Sequence, residues 1–251
     1  MVNKDLQFFV FNETCIGASH LKAEKPCQDF SDSYLEQNAI IAVADGHGSS
    51  EHLKSDRGSR FAVEAAIKCV KELISTKNEK LTDKDLHILE KSIIAKWHEK
   101  IANDLSNDPN SYGTTLIAAG MTKNYWFAVQ IGDGKCIVIN SDDTITQPVP
   151  WDDRCFLNKT TSICDENAAE LFRHYYSETL PKAIFIGTDG IDDCYPINDN
   201  EEYLAMLYKK IYDNFISEGM EKGQVQLREM LPILTQKGSG DDVSVAGIVM
   251  K

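Results

Sequence analysis

Three apolar runs in this chain each meet aspartate at one end. Asn38–Ala44 runs into Asp45, Ala183–Thr188 runs into Asp189, and Asp241-Asp242 opens Val243–Met250. A fourth aspartate, Asp133, follows Phe127–Ile131 across Gly132. Apolar runs of this length, bounded by turn residues, are buried strands. A sheet that buries them leaves the carboxylates on its rim, held by rigid strand ends. Converging carboxylates repel one another unless a cation lies between them. Gly46, Gly132, Gly134 and Gly190 beside them let backbone approach closely, so that a carbonyl can join the ligand set. Donors that are all oxygen favour Mg²⁺, Mn²⁺ or Ca²⁺ over zinc or copper. Taken singly, each Asp-Gly is ordinary turn chemistry and His47 an ordinary loop histidine. The set, in this order, is what constrains the chain.

The remaining pattern predicts an α+β protein. Leu6–Phe11 reads as an opening strand. Helical spacing runs from Ser55 to Ile74 and from Thr82 to Asn107, where Pro109 stops it. Ser111–Gly120, Tyr125–Ile131 and Lys135–Asn140 read as strands, with Gly132-Asp133-Gly134 as the hairpin turn between the last two. Between Ser141 and Leu180 only a short helix near Glu166–His174 is expected. Asn198 with Glu201 marks the start of another helix, and a final helix over Gly223–Gln236 is expected to be kinked or shortened by Pro232. Strands in a meander with helices set between them suggest a sandwich rather than a doubly wound sheet. No repeat or linker interrupts the chain, so one domain over residues 1–251 is expected.

Composition narrows the partners. The formal net charge is −13, from 39 acidic and 26 basic residues, which argues against nucleic acid and anionic membranes. The seven cysteines form no Cys-x-x-Cys pair, so reduced thiols in a cytoplasmic protein are expected. The start lacks a basic end followed by an apolar run, and no apolar stretch is long enough to cross a bilayer.

The ordered motifs resemble the type 2C metal-dependent serine/threonine protein phosphatases, in a bacterial-type variant. They are Gln28-Asp29, VADGHGSS at 43–50, SYGTT at 111–115, VQIGDGKCIVI at 129–139, FIGTDGIDD at 185–193 and GSGDDVSVAGIV at 238–249. The resemblance covers nearly the whole chain and is weakest over residues 141–180. It implies a central antiparallel β-sandwich flanked by helices on both faces (α-β-β-α). It also implies two or three Mn²⁺ or Mg²⁺ ions. Asp45 would bridge two of them, with the Gly46 carbonyl, Asp189 and Asp241 as further ligands. Asp29 and Gln28 would orient water around the second ion, and Asp133 and Asp193 match the position of a third.

The reaction implied is hydrolysis of phosphoserine and phosphothreonine in proteins by a hydroxide bridging two metals, with His47 as general acid. The partners implied are a phosphoprotein substrate and a cognate Ser/Thr kinase, and a monomer is expected. Two departures stand out. The arginine that usually holds phosphate is missing upstream of Asp29, which leaves His20 ahead of Lys22 and Lys25 as candidates. Gln28 also stands where many members carry glutamate. A catalytically silent relative that binds phosphoproteins or a kinase is one alternative, and a small-molecule phosphomonoesterase is another. His52, His87, His98 and His174 are read as structural.

Overall fold

The structure, a computed structural model, describes residues 7–156, 159–195 and 200–250. Period-two alternation of apolar side chains sets its layers. In β3 (Ala39–Ala44) every residue is buried, with Ile41 and Val43 on one face and Ile40, Ala42 and Ala44 on the other. β9 (Ala183–Gly187) and β10 (Val243–Met250) divide in the same way: Ile184, Ile186, Ala246 and Ile248 point one way, Phe185, Val245 and Val249 the other.

Two antiparallel five-stranded sheets result. The first has the order β1-β10-β9-β6-β7, adding β1 (Phe8–Cys15), β6 (Lys135–Ile139) and β7 (Ile145–Thr146). The second has the order β2-β3-β4-β5-β8, adding β2 (Phe30–Leu35), β4 (Leu116–Met121), β5 (Trp126–Ile131) and β8 (Arg173–Ser177). Ile41, Ile117, Val138, Ile184 and Ile248 belong to the core between the sheets. A second core packs α2 (Ser55–Thr76) and α3 (Asp83–Asn103) onto the outer face of the second sheet through Val63, Val70, Ile93 and Trp97. A third packs α6 (Asn200–Glu218) and α7 (Met220–Lys237) onto the first through Tyr208, Phe215, Leu227 and Leu231. This is the α-β-β-α sandwich that was expected. Among the described residues no helix is long and apolar enough to cross a membrane.

Several expectations need correction. Gly132-Asp133-Gly134 is no hairpin: β5 lies in the second sheet and β6 in the first, so the turn carries the chain across the sandwich. Gly132 has φ +102°, and a side chain there would strike Thr115. The opening strand runs on to Cys15 and pairs with β10, and the chain then enters the short helix α1 (Ala18–Lys22). Pro109–Tyr112 forms a 3₁₀ turn, and the strand expected from Ser111 starts at Leu116. The helix that starts at Asp83, behind a Thr82–Asp85 capping box, ends at Asn103 rather than Asn107. The expected Glu166–His174 helix is four residues long, Ala168–Leu171 (α4), and His174 lies in β8. α7 passes through Pro232 to Lys237; the lost N–H removes one bond, while buried Leu227 and Leu231 hold the helix to the sheet. The expected start at Asn198 lies outside the described residues.

Candidate metal centre

Asp45 directly follows β3, and its backbone is fixed by two adjacent threonines. Its carbonyl accepts from the Thr114 hydroxyl at 2.7 Å and the Thr115 N–H at 2.8 Å, while its own N–H donates to Thr115 Oγ1 at 3.0 Å. Asp189 follows β9 as the first residue of the short helix α5 (Asp189–Asp192). Gly190 is required there, because a Cβ would sit 1.9 Å from the Asp242 carbonyl oxygen. Asp29 is 5% exposed and accepts from the Thr188 hydroxyl at 2.7 Å.

The electrostatics show that these carboxylates converge. Burial pushes Asp45 well above the usual carboxylate range, and the charges of Asp29, Asp241 and Asp133 push it further. Asp189 is raised by burial and then by Asp45, Asp133, Asp193 and Asp241. Asp29 is raised by burial first; the Thr188 hydrogen bond opposes this, while Asp242 and Asp189 add to it. Asp133 is raised by burial and eased by Thr160, Lys135 and Arg173, and Asp193 is raised by burial, Asp133 and Asp241. Carboxylates that burial and mutual repulsion drive toward protonation are poorly stable as bare anions. An all-oxygen set in that condition fits hard divalent cations such as Mg²⁺ and Mn²⁺.

The aspartates Asp133, Asp189, Asp193 and Asp241 share a cleft of about 720 Å³ with His47 and Lys159. His47 is held through its backbone: its N–H donates to the Gly113 carbonyl at 3.1 Å and its carbonyl accepts from Gln28 Nε2 at 3.1 Å. Burial and the neighbouring His52 lower the His47 pKa to about 4, so the ring is neutral at neutral pH. Gln28 Nε2 also reaches Ser55 Oγ at 2.5 Å, and the Gln28 carbonyl accepts from the Gly46 N–H at 3.1 Å. The Gln28 side chain therefore braces the Asp45–His47 segment.

Neither His20 nor Lys22 lines this cleft. His20 Nδ1 bonds Asp242 Oδ2 at 2.9 Å, and Lys22 is exposed on α1. Among the described lining residues the one lysine or arginine is Lys159, which the sequence reading did not single out.

Asp242 was also missed. It is 3% exposed, and its carboxylate accepts from the backbone N–H groups of Gly17 and Gln28, each at 2.6 Å, as well as from His20. It ties the Gln28-Asp29 segment to the start of β10. Only its adjacency to Asp241 signalled it. Asp192, also buried, is pushed up to about 8 by burial, against Lys135 at 3.6 Å.

An α-β-β-α sandwich with acidic residues gathered at its strand ends is the architecture that the resemblance to the metal-dependent phosphatases implied. The chain belongs to the protein phosphatase 2C family, whose model matches residues 16–232. Solved structures agree on the fold. A bacterial serine phosphatase superimposes with a TM-score of 0.66 at 15% identity, covering 98% of each chain. The catalytic domain of the serine/threonine phosphatase PstP, in complex with two manganese ions, gives 0.62 at 18% identity, covering 98% of this chain and 99% of that one. The serine/threonine phosphatase of S. agalactiae gives 0.63 at 16%, covering 98% of this chain and 100% of that one. No curated protein matches the sequence.

Proposed function

We propose that this chain hydrolyses phosphoserine and phosphothreonine in cytoplasmic phosphoproteins, at the aspartate cleft, with Mn²⁺ or Mg²⁺ bound. The observation that carries the reading is the set of mutually repelling carboxylates: Asp133, Asp189, Asp193 and Asp241 line a cleft with His47, and the charges of Asp133 and Asp241 raise the buried Asp45, which in turn raises Asp189. Asp45, the Gly46 carbonyl, Asp189 and Asp241 would hold the central pair of ions, with Asp29 beside them and Asp133 and Asp193 at a third position. Bound ions would supply an activated water and charge stabilisation for the phosphoryl oxygens.

The protein's own groups do the rest. Asp29, fixed by Thr188, would orient water beside the bound ions. Gln28 keeps the Gly46 carbonyl and His47 in register through its own backbone and amide contacts. His47 is neutral in the free protein. A phosphate dianion arriving beside it raises its proton affinity, which loads the ring to protonate the departing serine or threonine oxygen. Lys159 offers that dianion a positive charge at the cleft wall, in place of the missing upstream arginine. A cognate Ser/Thr kinase that supplies the phosphoprotein belongs to this reading, as does a monomeric chain.

The test is hydrolysis of phosphoserine and phosphothreonine peptides by chelator-treated protein, with and without Mn²⁺, beside small phosphomonoesters of metabolites. Turnover of the peptides that returns only with metal supports the proposal. No turnover with Mn²⁺ would make the chain a silent binding relative, and activity confined to metabolite esters would replace the substrate class.

A further inference from the structure

Glu90 on α3 is a fully buried carboxylate, a costly placement unless both oxygens are satisfied. Each oxygen takes one imidazole: His174 Nδ1 lies 2.7 Å from Oε1 and His87 Nδ1 lies 2.9 Å from Oε2. The rings meet edge to face with centroids 4.9 Å apart. With both Nδ1 atoms held by Glu90, both Nε2 atoms turn to a second carboxylate, Asp83, at 2.7 Å from His174 and 3.5 Å from His87. Asp83 and His87 are four residues apart on α3, and His174 arrives from the edge strand β8. One ligand atom from each of Asp83, His87 and His174 lies within 4.8 Å of the others.

An ion entering here would displace the proton shared by His174 Nε2 and Asp83 Oδ1. A carboxylate that accepts the Nδ1–H of a histidine aims its Nε2 atom, the arrangement that orients histidines on metals. Here one buried carboxylate does this for two rings at once. A tetrahedral ion with bonds of about 2.0–2.1 Å separates its ligand atoms by roughly 3.3 Å. The 2.7 and 3.5 Å spacings, to the two oxygens of Asp83, bracket that value, and one ligand atom from each residue lies within 4.8 Å of the others. The side chains of Asp83, His87 and His174 are 79%, 52% and 15% exposed, which gives an ion a path in and leaves a coordination position for water.

We infer that Asp83, His87 and His174 form a binding site for one zinc-class divalent transition-metal ion, separate from the aspartate cleft and oriented by Glu90. The N,N,O donor set selects Zn²⁺, Co²⁺ or Ni²⁺ over Mg²⁺, so the two sites sort metals by ligand chemistry. The bound ion staples β8 to α3. β8 also carries Arg173, whose guanidinium donates to the carbonyl of Gly132, beside Asp133.

The experiment uses the full chain without an affinity tag, in millimolar Mg²⁺ to fill the carboxylate cleft. It is titrated with Co²⁺, followed by visible ligand-field absorption, and with Zn²⁺, followed by calorimetry. One equivalent should bind at micromolar concentration with the spectrum of a nitrogen-ligated site. Asp83→Ala and His87→Ala, which alter surface positions, should each abolish that binding, while His98→Ala on the same helix keeps it. Zn²⁺ should raise the melting temperature of the wild type and of neither site variant. No bound equivalent in the wild type, or one that survives in either site variant, overturns the site whatever the phosphatase assay shows.

Discussion

Replacing Asp242 with asparagine takes the charge from a buried carboxylate that accepts three hydrogen bonds, from Gly17 N–H and Gln28 N–H at 2.6 Å and from His20 at 2.9 Å. An amide has one accepting oxygen. If that oxygen faces Gly17, the NH₂ faces the Gln28 N–H, donor against donor; turned round, it strands Gly17 instead. His20 escapes by changing tautomer, but one buried backbone N–H is orphaned either way, at a cost of about 1–3 kcal/mol. The surviving bonds lose their charge assistance, roughly another 1–2 kcal/mol together. The total is about 2–5 kcal/mol, unscreened because Asp242 is 3% exposed. At about 2–4 °C per kcal/mol for a chain of this size, the melting temperature should fall by roughly 4–20 °C.

Asp241→Asn is the matched control. That residue is exposed, and the hydrogen bond its Oδ1 accepts, from the Asp242 N–H at 2.8 Å, is one an asparagine oxygen keeps. Stability should change by less than about 0.5 kcal/mol, while Mn²⁺-dependent turnover should fall by at least about 10²-fold. Thermal unfolding in chelator and phosphopeptide turnover in Mn²⁺, measured on both variants, decide the matter. Asp242→Asn melting with the wild type, or Asp241→Asn melting as low as Asp242→Asn, would refute the division of labour between the two aspartates.

Raised carboxylate pKa values mean that the folded metal-free protein holds protons the unfolded chain releases, so its stability should fall as pH rises from about 4 toward 8. His47 works in the opposite sense between its folded pKa of about 4 and its ordinary 6.5, and His98, also lowered by burial, acts with it, but the several carboxylates outweigh the two rings. Asp45→Asn should therefore raise the metal-free melting point, by about 0.5–2 kcal/mol of stability, while cutting turnover at least about 10²-fold; a lower melting point contradicts the repulsion argument. His47→Ala should lose roughly 10²-fold on phosphopeptides and much less on p-nitrophenyl phosphate, whose leaving group needs no proton; equal losses would assign His47 to positioning. Lys159→Ala should raise KM and weaken inorganic-phosphate inhibition by roughly 5–10-fold, a modest effect for an exposed lysine, with His20→Ala leaving both unchanged. The reverse pattern would return the phosphate contact to His20.

How much was legible in the sequence followed from how local the cause was. β3, β9 and β10 are apolar on both faces because helices cover one side and the partner sheet the other, and that shows in any short window. β2, reading Phe30-Ser31-Asp32-Ser33-Tyr34-Leu35, lies at a sheet edge and carries polar residues, so its composition does not announce a strand. Gly132-Asp133-Gly134 has the chemistry of a hairpin turn, and nothing within it says that the next strand joins the other sheet. Asp45 and Asp189 were readable because strand ends are readable. Asp242 was not separable from Asp241, because its work is done on backbone N–H groups more than 200 positions away in the chain. Glu90 and His174 stand 84 positions apart, and only the packing of β8 onto α3 makes them neighbours.

β10, which follows every other described strand, lies between β1 and β9, and pairs with β1 from Phe8↔Met250 to Cys15↔Val243. A nascent chain therefore carries β1 without its strand partner until β10 has emerged, and β9 waits on the same strand for one of its two neighbours. Asp241 and Asp242 arrive with that same strand. The aspartate cleft consequently cannot be completed before β10 emerges, and closure of the first sheet and completion of the cleft become a single late event. Contacts spanning nearly the full chain make that event slow, and the bare edges make the waiting intermediate prone to aggregate. Folding yield in the cell should thus depend more on how fast β10 docks than on any step before it.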